Sequence, residues 1–145
     1  MKYKGSKMEY SEERVRDLKR VHDEYVASRG YSCHMDEVYE AIVNMPAKRF
    51  WVNTRRAAEV ISSMMKGDKQ KFDRMRKNKK EMYREIYRRV LEVKKKNPCL
   101  SLYEMCDIVV SQPAPKFYLA PDSVKLMLCK AKKKWRKEML KRLRL

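Results

Sequence analysis

One phrase of unusual composition occurs twice in this chain. PAKRFWVNTRRAAEVI begins at Pro46, and PAPKFYLAPDSVKLML begins at Pro113, 67 residues later. Proline, alanine, a basic residue, two adjacent aromatics and an aliphatic recur in order, and apolar residues at helical spacing follow each copy. A repeat constrains a fold strongly, because each copy meets the same packing problem with the same side chains. Without gaps, 32–66 pairs with 99–133: Glu37 matches Glu104, Glu40 matches Asp107, and Ala41, Ile42 and Val43 match Ile108, Val109 and Val110. Upstream, a shift of about two residues aligns Leu18, Val21 and Tyr25 with Tyr83, Ile86 and Val90.

Each copy reads as three helices. The first covers about 11–28, with Ser11 as N-cap, an apolar face of Val15, Leu18, Val21 and Tyr25, and Gly30 as its stop. The second covers about 35–45, with Met35, Val38, Tyr39 and Ile42 turned inward; its counterpart opens on Ser101-Leu-Tyr-Glu104, the spacing of a capping box. Pro46 and Pro113 end these helices, because proline disfavours helix in the residue before it. The third helix starts after Asn53, an N-cap, and in the second copy at Pro121. Ala57, Val60, Ile61 and Met64 form its inner face, matched by Val124, Met127, Leu128 and Ala131. With three glycines and five prolines in 145 residues, nothing competes with helix. The expectation is an all-α protein of two tandem three-helix units: 1–66 the first repeat, 67–80 a basic linker starting a long helix, and 81–145 the second repeat with a basic C-terminal helix.

Charge points to a partner. The formal net charge is +18, with 13 Lys/Arg against 11 Asp/Glu over 1–68 and 24 against 8 over 69–145. A field of that sign attracts polyanions, and nucleic acid is the first to consider. Between the copies, Phe72, Met75, Met82, Ile86, Val90 and Val93 suggest one long helix. Its other face carries Lys71, Arg74, Arg76, Lys77, Lys79, Lys80, Arg84, Arg88 and Arg89. A phosphate backbone beside such a helix would relieve its self-repulsion; the alternative is a solvated linker.

The repeated phrase lies between the second and third helices. Phe50 and Phe117 read as core plugs, since a small three-helix core needs large side chains. Trp51 and Tyr118 are candidate stacking platforms for bases, beside Lys48, Arg49 and Lys116.

Helix, turn and basic final helix together resemble the helix-turn-helix class of DNA-binding modules, over about 50 residues per copy. The segment 45–53 is longer than the tight turn of that class. The resemblance implies that the third helix enters the major groove. It would present Arg55, Arg56, Glu59, Ser62, Ser63 and Lys66 in copy one, and Asp122, Ser123, Lys125, Lys130, Lys132 and Lys133 in copy two. Arginine reads guanine edges and lysine mostly supplies charge, so copy one would specify and copy two anchor. The implied ligand is duplex DNA, favoured over RNA. The phrase is also similar to turns in small proteins of bacteriophages and mobile elements of gut bacteria. That likeness implies a viral or mobile-element origin, and the cytoplasm of a bacterial host or a virion as location.

The C-terminal stretch aligns Leu128, Ala131, Trp135, Met139 and Leu143 opposite Lys130, Lys132, Lys133, Arg136, Lys137, Lys141 and Arg142. Three readings stay open: packing on the protein's own core or in a homo-oligomer, docking to an anionic surface or acidic protein partner, and an arm that orders on nucleic acid. A structural or assembly component is accordingly the rival of a DNA-binding protein. No apolar run reaches the length of a membrane span. Cys33, Cys99, Cys106 and Cys129 form no CxxC pair and read as buried, reduced thiols; His34 reads as a helix-start residue rather than a zinc ligand. There is no glycine-rich phosphate loop and no nucleophile elbow, so neither catalysis, a cofactor nor a metal is expected.

Overall fold

A computed structural model of the chain describes residues 4–30 and 35–144, with side chains from Tyr10 onward. The described residues form seven α-helices and no strand: α1 (Lys4–Arg29), α2 (Met35–Val43), α3 (Thr54–Met65), α4 (Gln70–Asp73), α5 (Lys77–Lys96), α6 (Leu102–Val110) and α7 (Pro121–Leu143). The protein is all-α, as its composition and periodicity imply. The readings of Cys33 and His34 lie outside the described residues.

The helices gather into two compact units that cut across the sequence repeats. One unit comprises Met1–Met45 and Leu119–Leu145; the other comprises Pro46–Tyr118. Unit 1 therefore packs α1 and α2 of the first copy on α7, the third helix of the second copy. Unit 2 packs α5 and α6 of the second copy on α3, the third helix of the first. Each copy has given its last helix to the other, an exchange of the kind otherwise seen between protomers. The connections permit it. Ten residues, 44–53, separate α2 from α3, and ten, 111–120, separate α6 from α7. A segment of that length can reach up to about 33 Å, so each third helix is free to pack on helices other than its own two.

In unit 1 the core is Leu18, Val21 and Val26 of α1, Val38, Tyr39, Ile42 and Val43 of α2, and Val124 and Leu128 of α7. Val15 and Tyr25, expected on the inner face of α1, are half-buried, and Met35 is 47% exposed. It is the first residue of α2. Ser11 is no N-cap, because α1 begins about two turns earlier and runs through it. Gly30 ends α1 at φ 67°, a left-handed conformation that glycine adopts without strain.

In unit 2 the core combines Ala57, Val60 and Ile61 of α3, Phe72 of α4, Met82, Tyr83, Ile86 and Val90 of α5, and Met105, Cys106, Val109 and Val110 of α6. The repeated phrases supply the rest. Ala47 and Ala114 face each other antiparallel, each amide donating to the other's carbonyl at 2.9 and 3.0 Å. Both alanines are buried, and a small side chain lets the two backbones approach. Phe50 donates its amide to the Val110 carbonyl at 3.0 Å, satisfying one of the acceptors left open at the end of α6. Phe50 and Phe117 are buried as expected of core plugs, but both serve unit 2 rather than one in each copy.

The long linker helix expected from the pattern does not form. Residues 74–76 separate the single turn α4 from α5. No proline or glycine forces that break. The cysteine reading is also corrected in part. Cys106 is buried, with its thiol pKa pushed up to about 11 by that burial, whereas Cys99 and Cys129 are exposed.

Candidate nucleic-acid interface

Several basic residues that were candidates for phosphate contact are engaged inside unit 2. Arg49 donates from Nε to the Phe50 carbonyl at 3.2 Å and from Nη2 to the Val52 carbonyl at 3.3 Å, and its guanidinium lies over Trp51. Lys116 pairs with Glu81 at 2.9 Å and sits over the Tyr118 ring. The Lys116 hydrogen bond holds the Glu81 carboxyl below its usual range. Arg89 reaches both phrases at once. Its guanidinium covers the Phe50 ring at 4.9 Å, and its Nη1 donates to the Pro113 carbonyl at 3.0 Å and to Gln112. These residues hold the crossing together.

Trp51 and Tyr118 differ as stacking candidates. Trp51 is half-buried beside Arg49. Tyr118 is buried, stacks on Phe50 at 6.1 Å and adopts φ 57°, the single positive φ outside glycine among the described residues. Burial pushes its phenol up to about 12. Its ring is enclosed by the protein and presents no platform to a base.

The exposed cations of unit 2 divide into paired and unpaired groups. Along α5, Arg88 pairs with Glu85 and with Glu92, the latter at 2.7 Å, and Arg84 lies over the Phe72 ring at 5.4 Å. On α3, Arg55 and Arg56 are exposed and share Glu59 at 3.7 Å. Among the described residues, Lys71, Arg74, Arg76 and Lys79 make no ion pair.

Those four meet Arg56. A cavity of about 460 Å³ is lined by Arg56, Lys71, Arg74, Met75, Arg76 and Lys79, five cations and a thioether with no carboxylate. It is a product of the break at 74–76, which turns α4 toward α3. The start of α5 adds to the field, because no side chain caps it and its first turn holds no acidic residue to offset the positive end of its dipole. A neighbouring cavity of about 310 Å³ shares Arg56, Lys71 and Met75 and continues along α3 past Glu59, Val60, Ser62 and Ser63, with Phe72 opposite. Burial pushes the Tyr83 phenol of α5 up, and the positive charge of Arg56 opposes that shift.

Of the sequence candidates, this site gathers Arg56 and Arg76. Lys71, Arg74 and Lys79, visible in the sequence only as part of a basic face, prove to be its other members. Lys48, Lys66, Lys77 and Lys80 belong to unit 2 but do not line the cavity. Lys125, Lys130, Lys133 and Arg136 stand exposed on α7 in unit 1. No local signal marks the turn at 74–76, so the meeting with Arg56 is legible only in three dimensions.

Comparison with protein-family models, curated proteins and solved structures returns no match. Among the described residues no group of three His, Cys, Asp or Glu side chains could hold a metal ion, and no helix is long and apolar enough to cross a membrane.

Proposed function

We propose that this protein binds nucleic acid through unit 2, with backbone phosphates held by Arg56, Lys71, Arg74, Arg76 and Lys79. The observation that carries this reading is the cavity whose lining has five cations and no carboxylate. Holding like charges together is unfavourable in isolation, and a phosphate among them relieves the repulsion and adds charge-assisted hydrogen bonds. The net charge of +18 supports the same ligand class. The helix-turn-helix likeness adds duplex DNA as a candidate form, with Arg55 and Arg56 on the exposed start of α3. The test is a salt titration with labelled duplex DNA, single-stranded DNA and RNA of equal length. Log affinity should fall with log salt by roughly 0.7–0.9 per phosphate contacted. Arg74→Glu with Arg76→Glu should flatten that slope; flat, weak binding to all three ligands would sink the reading.

A second reading, an assembly component with an acidic protein partner or a second copy, has one observation in its favour. On α7, Met139 is 63%, Leu140 48% and Leu143 76% exposed, flanked by Lys137, Lys141 and Arg142. A phosphate backbone offers nothing to such apolar side chains, whereas an acidic amphipathic helix would cover them. Sedimentation across salt concentrations separates the readings, because a second copy seated there adds mass without nucleic acid.

A further inference from the structure

The groove between α3 and α4 has two chemically different ends. One is the cationic space already described. The other is lined by Glu59, Val60, Ser62, Ser63, Phe72 and Met75. Val60 and Phe72 are buried and close it with apolar surface, and the two half-buried serines offer hydroxyls. Arg56, Lys71 and Met75 border both spaces, so the ends are continuous. A purely electrostatic patch needs no such second compartment.

We infer that this groove seats one unpaired nucleotide of a single strand, its phosphate among Arg56, Arg74, Arg76 and Lys79 and its base against Met75 between Ser62, Ser63 and Glu59. The inference rests on the reading of unit 2 as a nucleic-acid binder and narrows the form of the ligand. Three features support it. First, the spaces of about 310 and 460 Å³ suit a small ligand. A base paired and stacked in a duplex is not free to enter such a cleft without being extruded, which costs unpairing energy. Second, Glu59 sets the direction. Its carboxylate, shared by Arg55 and Arg56 at 3.7 Å, leaves the serine end less positive than the other and offers oxygens to the N–H groups of a base edge, while the unpaired cations draw phosphate to the other end. Third, the contacts at the serine end combine apolar surface with hydroxyls that both donate and accept, which matches the face and edge of a nucleobase.

The experiment compares three labelled ligands of equal length on the full chain: a single DNA strand, the same strand with abasic sites throughout, and the duplex. The single strand should bind about tenfold more tightly than the abasic strand, the scale of one or two base contacts. Ser63→Leu, which fills the serine end, should erase that difference and leave the salt slope intact. Arg74→Glu should weaken the normal and abasic strands alike. Thermal unfolding of each variant separates a filled groove from a damaged fold, and Ser62→Leu repeats the test from the adjacent position. Equal binding of normal and abasic strands, or a duplex preferred over both, would overturn the inference while leaving nucleic-acid binding in place. No binding to any of the three at low salt would overturn both.

Discussion

The two copies of the repeated phrase share three residues and diverge in how each is held. Ala47 and Ala114 exchange backbone hydrogen bonds, and Phe50 and Phe117 are both buried in unit 2. Around that shared frame the copies part. The first is held by Arg49 donating to main-chain carbonyls, and it leads into α3 through Asn53, whose side chain accepts from the Arg55 amide at 2.8 Å. The second is held by a carboxylate, Glu81, through Lys116; it turns through a buried tyrosine at positive φ and enters α7 from Ala120, which has no side-chain cap. The identical alanines lie where the two segments touch each other, and the differing residues lie where each segment meets different neighbours.

The exchange of third helices is the broadest part of that comparison to break. A chain nicked between Gly67 and Lys69 should keep its halves in one particle through gel filtration, since each unit contains helices from both. Independent tandem copies would separate. Next in size, Phe50→Ala should cost about 3–5 kcal/mol by urea denaturation. It should exceed Phe117→Ala, because Phe50 also carries the Arg89 and Tyr118 contacts. A reversed order would mean that the first phrase is not the better anchored. Enlarging the crossing by Ala47→Leu or Ala114→Leu should cost about 1–3 kcal/mol, and the two should cost alike because the pairing is reciprocal. A tolerated leucine at either position would contradict the close approach.

Acid should distinguish the copies. The Glu81 carboxyl is held below its ordinary 4.5, first by the Lys116 hydrogen bond, so the stability it contributes is present above that value and lost as pH falls through the depressed folded value. The difference in Tm between wild type and Glu81→Gln should therefore be present at neutral pH and shrink under acid. Arg49 bonds to carbonyls that do not titrate, and an Arg49→Met difference should stay constant over the same range. The smallest effect is at the helix start. Asn53→Ala should cost about 1 kcal/mol, and Ala120→Asn, placed at extended backbone ahead of α7, should recover about half that or more.

Much of the secondary structure could be read in advance because its signals are local. Gly30, Asn53, Ser101 and Pro121 act on their own backbone neighbours, and each sits where its chemistry predicts. The site was legible only in composition. Arg56 and Arg76 were candidates for their charge, but nothing between Lys69 and Lys80 announces a turn, and periodicity placed Phe72 and Met82 on one continuous helix. The candidates lost to internal work, Arg49 and Lys116, were lost to partners across the crossing, some near in sequence and some far.

By itself the sequence determined that this chain is helical, that it is a repeat, and that its charge is gathered in the second half. Those properties follow from side-chain periodicity, capping and count, which need no knowledge of the partner. Tertiary structure alone decided which third helix packs where. The inner faces of α3 and α7 are built from matched residues, so hydrophobic pattern cannot tell one pair of accepting helices from the other. The connecting segments are long enough for either choice, the reciprocal contact of Ala47 with Ala114 accompanies the one observed, and the same choice brings Arg56 of the first copy beside the cations of the linker.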